Sequence, residues 1–322
     1  MYKVRFLFLL FLLSFSICSC RKDLLHWQSV QQLSSGTTHR LNRILFLNDT
    51  LGFIAGGERF TFADILTTHD GGNTWQYHDF PDVGKALYAL TGNAKGEVYA
   101  TGFEGKLLHS TDYGATWNIT GQRYDSYKGM ATNSEGNLVQ IGGISFDYGF
   151  IQRADPAGNF KSWDSLKFEV NDIQMLPDGT GYVAGFGTVL KTTDDGNTWE
   201  RQEVGSDNFK GIHAVTGKEA WTCGYNGSIY HTTNGGEDWE RKRNGNRLDL
   251  PRYHLESILF LDALNGYAVG EEGAVIYTDD GGDHWSEFDR FTSQTLHHIV
   301  RCANGDLLVC GDGGTLYRLQ KK

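Results

Sequence analysis

Short apolar segments that end on glycine recur along the chain and give the first indication of its fold. Each segment alternates in the manner of a β-strand over four positions before its glycine. The seven segments are residues 52–56, 98–102, 138–142, 181–185, 220–224, 266–270 and 307–311. Their terminal glycines lie 39 to 46 residues apart, a period that fits a four-stranded propeller blade rather than a shorter solenoid repeat.

Each repeat unit is predicted to contain four strands. In the sixth unit, the pattern predicts strands at residues 257–261, 266–269, 274–278 and 285–288. Seven such units predict an all-β fold, namely a seven-bladed β-propeller of four-stranded blades. The pattern shows no linker or second domain, so we assign residues 26–322 to one propeller.

The two ends of the repeat region predict how the ring closes. The seventh unit stops near Leu319 without a fourth strand, whereas residues 26–30 look like a fourth strand with no unit before them. Trp27 in that segment supplies the tryptophan that the seventh unit lacks. We therefore expect the N-terminal strand to complete the last blade, which removes an exposed sheet edge.

A polar phrase that ends on tryptophan follows the third strand of most units. It has the form Ser/Thr-x-Asp-x-Gly-x-Thr-Trp, which is the Asp-box consensus, and a sixth, degenerate copy runs from Asp155 to Trp163. The five near-copies contain Asp70 with Trp75, Asp112 with Trp117, Asp194 with Trp199, Asn234 with Trp239 and Asp280 with Trp285.

These recurring carboxylates are predicted to be structural rather than catalytic. An Asp side chain accepts hydrogen bonds from the backbone of its own tight turn, Gly supplies a positive φ, and Trp covers the turn with apolar area. The Asp-box residues are therefore expected to stabilise the blades, and no catalytic residue is assigned.

The first residues have the pattern of an export signal. Lys3 and Arg5 precede an apolar run that ends before Cys20, and the run is shorter than a membrane span. The sequence around Cys20 resembles a bacterial lipobox, which predicts a lipoprotein signal peptide at residues 1–19, lipidation of Cys20 and an anchor segment at residues 20–25. Ordinary cleavage near Ser19, with Cys20 left as a free thiol, is the alternative. Either way the protein is expected to be exported, and the lipobox places it on the periplasmic or outer surface of a bacterial cell envelope.

Composition narrows the range of ligands. A net charge of −10 argues against a nucleic-acid partner, which would need a basic surface. No metal or cofactor site is evident: His297 and His298 are adjacent on a predicted strand and so point to opposite faces.

Cys302 and Cys310 flank a short turn, but their register does not look opposed, so they are interpreted as core residues while a disulfide remains the alternative.

The repeat resembles one known protein family. Residues 257–270, followed by 273–282, closely resemble the photosystem II stability/assembly-factor family of seven-bladed propellers, and similar units cover nearly the whole mature chain. The resemblance implies a non-catalytic chaperone or binding platform. It does not imply that this chain meets a photosystem.

A glycan-binding or glycan-hydrolysing propeller is the alternative function. Sialidases share a weaker form of the motif, but the nearest match to their arginine phrase, around Arg43, lacks the Phe before it and the Pro after it. Hydrolysis with inversion needs only two suitably spaced carboxylates, and the sequence leaves that arrangement open.

The loops that gather at one mouth of a propeller channel are the predicted binding face. Positions at the start of each first strand, namely Asn42, Lys128, Asn171, Lys210, Glu256 and His297, are expected to surround the channel mouth. The predicted face contains Arg123, Tyr124, Lys128, Lys210, Arg243, Arg247, Arg252, Tyr253 and His297. Arg and Tyr commonly anchor protein interfaces, so we predict a protein partner there, with solvated loop charges as the plain alternative.

Overall fold

The protein folds into a ring of seven four-stranded antiparallel sheets in a computed structural model that describes residues 24–247 and 250–321. The predicted signal peptide, the Cys20 lipidation site and the first residues of the anchor segment lie outside the described residues. Within each blade, strands a to d follow one another outward from the channel, because the a strands of neighbouring blades contact one another around the whole ring. The predicted seven-bladed propeller is confirmed.

The strand bounds are given by position in the blade, from blade 1 to blade 7. The a strands are Leu41–Phe46, Leu87–Gly92, Tyr127–Thr132, Val170–Met175, Phe209–Ala214, Leu255–Phe260 and Leu296–Arg301. The b strands are Gly52–Gly56, Val98–Gly102, Leu138–Ile144, Gly181–Gly185, Ala220–Gly224, Gly266–Gly270 and Leu307–Gly311. The c strands are Asp64–Thr68, Lys106–Ser110, Tyr148–Ala154, Thr188–Thr192, Ile229–Thr232, Val275–Thr278 and Leu316–Lys321. The d strands are Gln76–Asp79, Asn118–Gly121, Phe160–Leu166, Glu200–Gln202, Glu240–Arg243, Ser286–Glu287 and Trp27–Gln32.

The N-terminal strand closes blade 7, as predicted. Trp27 pairs with Lys321 and Gln32 pairs with Tyr317, so the first and last described strands form one antiparallel ladder. The Trp27 ring stacks on Phe288 of blade 6 with centroids 3.7 Å apart. Strand Trp27–Gln32 therefore completes the sheet of blade 7 and also packs against blade 6.

Close approach of the backbone requires glycine at the end of most b strands. A Cβ atom built on Gly102 would lie 2.0 Å from the carbonyl oxygen of Ala86, the residue before strand a of the same blade. Six b strands end on the predicted glycine. Blade 3 differs, because its strand b continues past Gly142 to Ile144 and pairs there with Tyr148.

The five Asp boxes form turns beside the a–b turns of their own blades, and each box donates a backbone hydrogen bond to that a–b turn. The Asp112 carboxylate accepts hydrogen bonds from the Thr116 hydroxyl at 2.6 Å, the Thr116 backbone N–H at 2.8 Å and the Ser110 hydroxyl at 2.8 Å. These bonds, that of the Thr116 hydroxyl first, lower the pKa of Asp112 to about 2. Asn234 replaces the aspartate in blade 5 and accepts the corresponding backbone bond from Asp238 at 3.0 Å.

The degenerate box of blade 3 departs from the sequence interpretation. Asp155 still accepts the Asn159 backbone N–H at 2.8 Å, but Trp163 lies inside strand d and stacks on Phe150 with centroids 4.2 Å apart. The extra residues between Asp155 and Trp163 move the ring out of the turn and into the strand.

The cysteines of the described residues are buried and carry free thiols: Cys223, Cys302 and Cys310. The Cys310 thiol lies 3.6 Å from the Leu41 carbonyl oxygen, in the core between blades 7 and 1. Their interpretation as core residues fits this arrangement.

Candidate functional site

A cavity of about 450 Å³ opens at the channel mouth on the face formed by the d–a and b–c loops. It is lined mostly by polar and charged side chains from strand a and from these loops. The lining comprises Arg40, Asn42, Arg43, Arg59, Tyr88, Ser126, Lys128, Ile144, Ser145, Glu169, Asn171, Asp172, Lys210, Glu256 and His297.

A β-bulge at the second residue of every a strand directs one side chain from each blade into this cavity. In blade 1, Leu41 pairs with Gly56 and Arg43 pairs with Ala55, so Asn42 is the extra residue. The same register shift occurs in all seven blades, and a bulge commonly re-aims a side chain in this way. We call these residues the bulge ring: Asn42, Tyr88, Lys128, Asn171, Lys210, Glu256 and His297.

Six members of the bulge ring were singled out from the sequence, and the structure brings all six to one cavity. Tyr88, the seventh, was missed although it has the same offset within its repeat unit. Aligning the seven first strands on their buried leading residue, which is Leu87 in blade 2, would have found it.

The two amide members of the bulge ring join neighbouring blades, and the imidazole member contacts a carboxylate. Asn42 Nδ2 donates to the Leu87 carbonyl oxygen at 2.8 Å, and Asn171 Nδ2 donates to that of Phe209 at 2.8 Å. His297 Nε2 lies 2.7 Å from the Asp312 carboxylate in its own blade. The polar groups of these side chains are therefore engaged in contacts within the propeller.

An ion pair spans the channel at the cavity. Arg43 of blade 1 donates to Asp172 of blade 4 at 2.8 Å, and the second carboxylate oxygen of Asp172 accepts the Ile212 backbone N–H at 3.0 Å.

His298 is turned away from His297 and is buried, with Nδ1 accepting the Ile44 backbone N–H at 3.2 Å. The two adjacent histidines therefore face different surroundings.

Five cationic side chains and three carboxylates line the cavity, although the protein as a whole is acidic. Lys128 contacts the Glu169 carboxylate. Burial, and then the charges of Lys210 and Arg59, lower the pKa of Lys128 to about 7, while Glu256 acts in the opposite direction. Burial also lowers the pKa of Lys210.

Two of the cavity cations have no anion bound to them. Among the described residues, the side chains of Lys210 and Arg59 make no hydrogen bond and no ion pair within 4 Å, and the Arg59 guanidinium lies 4.7 Å from the Phe103 ring centroid. A cation held in this way is available to a carboxylate from outside the chain.

Four other residues of the predicted face do not line the channel-mouth cavity. Tyr124 is exposed and donates to Glu104 at 2.8 Å, and the Arg123 guanidinium stacks over Trp163 at 4.2 Å. Arg252 lies beside a smaller pocket of about 190 Å³ between blades 5 and 6, and Arg247 lies in the turn before it, with its backbone N–H donating to Asn244.

Two predicted face residues are corrected by the structure. Arg243 is buried, and its guanidinium donates to the carbonyl oxygens of Gly227 and Pro251, so it fastens the loop that it was expected to expose. Tyr253 is also buried, although its edge reaches the smaller pocket, and it packs beneath the guanidinium groups of Arg243 and Arg290. The charged run around Arg243 suggested exposure, but the loop folds back over the side chain.

Sequence reasoning missed the aromatic side chains beside the cavity. The b–c loops of blades 1 to 4 present two contacting pairs, Phe60 with Phe103 at 5.3 Å and Phe146 with Phe186 at 5.1 Å between centroids. The sequence indicates these pairs only through an aromatic residue in each of these b–c loops, where polar residues are expected.

Metal clusters and membrane-spanning helices are both absent from the described residues 24–247 and 250–321. No group of three or more His, Cys, Asp or Glu side chains is arranged there to hold a metal ion. No helix in this part of the chain has the length and apolar character needed to cross a membrane.

Comparison with known proteins finds relatives in sequence and in fold. The family described as "Photosynthesis system II assembly factor YCF48" matches residues 156–321, about half of the chain. "Photosystem II assembly lipoprotein Ycf48" of Synechococcus sp. (strain CC9902) is 24% identical over 189 residues, which are 56% of this chain and 56% of that protein. The protein of the same name from Prochlorococcus marinus (strain MIT 9313) is 28% identical over 153 residues, 44% of this chain and 43% of that protein. The chain thus spans about half the length of the curated relatives it matches.

Among solved structures, one described as "YCF48 bound to D1 peptide" has a TM-score of 0.71 at 18% identity. The match covers 93% of this chain and 96% of that chain. At this identity the likeness establishes a shared fold.

Proposed function

Because the chain belongs to the family of photosynthesis system II assembly factor YCF48, we propose that it is a non-catalytic propeller that binds a partner protein and assists the assembly of a complex. The binding site is the channel-mouth cavity with its surrounding loops. The ligand is an acidic segment of the partner.

The observation that carries this proposal is the pair of uncommitted cations in a cavity built by the bulge ring. Arg59 and Lys210 are held at the mouth of a cavity on a protein whose net charge is −10. A carboxylate that enters such a site gains charge-assisted hydrogen bonds from both side chains, and water is partly excluded around the half-buried Lys210. The rest of the acidic surface would repel an acidic segment, which directs it to this face.

The similar propeller described as bound to a D1 peptide supports a peptide as the ligand class. That partner belongs to that protein. For this chain we propose an acidic segment of an envelope protein.

The cavity carboxylates favour binding over hydrolysis. Glycoside hydrolysis uses two carboxyl groups in different protonation states. Asp172 is paired with Arg43 and Glu169 with Lys128, which leaves Glu256 as the one cavity carboxylate without an ion pair or hydrogen bond among the described residues. A glycan would still find polar groups here, so a glycan ligand is an outcome of the test below.

The test is photo-crosslinking from the cavity. A benzophenone amino acid at Tyr88 is expected to crosslink an acidic segment of a partner protein in envelope preparations, and mass spectrometry of the crosslinked peptide identifies that segment. The variant Arg59→Gln/Lys210→Gln should reduce the yield at least about tenfold, since charged hydrogen bonds contribute roughly 1.5–3 kcal/mol each.

The matched control is Lys95→Gln/Lys218→Gln, which removes the same charge from exposed a–b turns on the opposite face. Equal yields from both double variants would contradict the proposal. Crosslinks to glycan alone would replace a protein partner by the alternative ligand.

We also propose that the protein is exported and anchored in the bacterial cell envelope by lipid on Cys20. The lipobox-like sequence and the word lipoprotein in the names of both curated relatives support this location. Radiolabelled palmitate should be incorporated into the native chain and not into a Cys20→Ala variant. Labelling that persists in the variant would contradict anchoring at this residue.

A further inference from the structure

The hairpin between strands b and c of blade 3 has an unusual backbone. Strand b runs two residues beyond the glycine at which the other b strands end, and the turn residues Ser145 and Phe146 have φ of +62° and +65°. Positive φ is uncommon for residues other than glycine and rare for a bulky aromatic. Strain of this kind persists where the surrounding structure enforces it, which occurs often at ligand-binding sites.

This backbone turns Phe146 outward, where 55% of the residue is exposed. Its ring lies 5.1 Å from that of Phe186 of blade 4, which is 43% exposed. Ile144, which is 45% exposed, lines the cavity next to this pair. We call these three residues the apolar anchor.

The apolar anchor is tied to the cavity through Glu169. The Glu169 backbone N–H donates to the Phe146 carbonyl oxygen at 3.2 Å, and the Phe186 backbone N–H donates to the Glu169 carbonyl oxygen at 2.8 Å. The Glu169 side chain contacts Lys128 of the bulge ring. One residue therefore positions both aromatic rings and a cavity cation.

The opposite side of the mouth presents paired carboxylates. The b–c loops of blades 6 and 7 are short helical turns, Glu271–Gly273 and Asp312–Gly314. Their carboxylates contact His254, Arg290 and His297, and they lie where blades 3 and 4 present aromatic rings. A ligand with one apolar group and one negative charge therefore finds apolar contact area over blades 3 and 4 rather than over blades 6 and 7.

We propose that the apolar anchor binds a large apolar side chain of an extended protein segment whose neighbouring carboxylate enters the cavity at Arg59 and Lys210. This inference rests on the proposed function and adds the chemistry and orientation of the ligand. Aromatic and arginine side chains are among the residue types that contribute most to the free energy of protein–protein binding.

Selection from a random dodecapeptide display library on the mature protein tests the proposal. The native protein is expected to enrich peptides in which Asp or Glu lies within a few positions of Phe, Trp, Tyr, Leu or Met. Phe146→Ser/Phe186→Ser should lose the apolar enrichment, keep the acidic one and bind the best native-selected peptide at least about tenfold more weakly. Phe146→Leu/Phe186→Leu should retain most of the affinity, since it keeps apolar area.

The control variant is Phe160→Ser/Leu264→Ser, which removes two equally exposed apolar side chains from the outer strand of blade 3 and an a–b turn of blade 6. It should select the same peptides as the native protein. Because all four residues are exposed, thermal unfolding should confirm that both serine variants remain folded.

The outcomes separate this inference from the function beneath it. Acidic enrichment without apolar enrichment, or unchanged affinity in Phe146→Ser/Phe186→Ser, overturns the apolar anchor and leaves an acid-binding cavity. No enrichment on the native protein overturns both.

Discussion

Ser145 and Phe146 hold a backbone conformation that glycine adopts without steric cost. We expect Ser145→Gly to raise the free energy of unfolding by about 1 kcal/mol, because the left-handed region costs an L-residue roughly 1–2 kcal/mol. Urea unfolding measures the change. The reciprocal control is Gly136→Ala: Gly136 has φ +82° and open space where a Cβ would lie, so it should lose a similar amount. A loss in both variants would contradict strain at Ser145.

The Asp-box carboxylates make stability depend on pH in acid. The pKa of Asp112 is lowered to about 2 from its usual 3.8, so its ionised form stabilises the fold above about pH 4 and this contribution is lost as the pH falls toward 2. Asp112→Asn should therefore lower the urea midpoint at pH 7 and differ less from the native protein at pH 2.5. Asp82→Asn, at an exposed residue with no hydrogen bond among the described residues, should show no such convergence.

At the scale of the strand, a glycine at the end of strand b allows the chain before strand a to pass close by. A Cβ at Gly102 would lie 2.0 Å from the Ala86 carbonyl oxygen, so Gly102→Ala should lower the free energy of unfolding by roughly 1–3 kcal/mol through forced backbone shifts. Thermal and urea unfolding measure it. Gly121→Ala in the same blade meets no atom within 4 Å and should be neutral or slightly stabilising. Equal effects would contradict the steric reason.

Strands and the bulge ring could be predicted from the sequence because both repeat with the blade. Each b strand carries a buried apolar run before its glycine, and each cavity residue has a fixed offset in its unit, so one unit informs the others. Strand b of blade 3 differs from this pattern because Gly142 and Gly143 allow its hairpin with strand c to extend to Ile144.

The rest of the site could not be predicted because it depends on contacts between distant units. Arg43 meets Asp172 across the channel, 129 residues away, and nothing local to either residue indicates the pair. Arg243 looks like an exposed loop charge in the sequence, yet it is buried beneath carbonyl groups of its own loop and the preceding one. The conformation of the loop determines whether such a side chain is exposed or buried, and the d–a loops do not share one conformation or length across the blades.

At the scale of the whole molecule, the N-terminal strand covers the edge of blade 7. Deleting residues 24–32 should lower the free energy of unfolding by at least about 2 kcal/mol, since it removes a hydrogen-bonded ladder and the packing of Trp27 on Phe288. It also leaves one edge of strand Leu316–Lys321 unpaired, while the other edge stays paired with strand b, so light scattering should detect self-association. A synthetic peptide of residues 24–35 added in trans should reverse both changes. An unaltered unfolding midpoint in the truncated protein would show that closure is dispensable.

Closure of blade 7 by two segments distant in sequence also sets the order in which the blades can form. Trp27 pairs with Lys321, so the last blade needs both the first and the last described strands. Blades 1 to 6 are each made of consecutive strands and can form from a chain that arrives N-terminus first, whereas blade 7 waits for strand Leu316–Lys321. A chain cut short before that strand therefore keeps strand Trp27–Gln32 unpaired and leaves an open ring, whose unpaired sheet edges can associate with other chains.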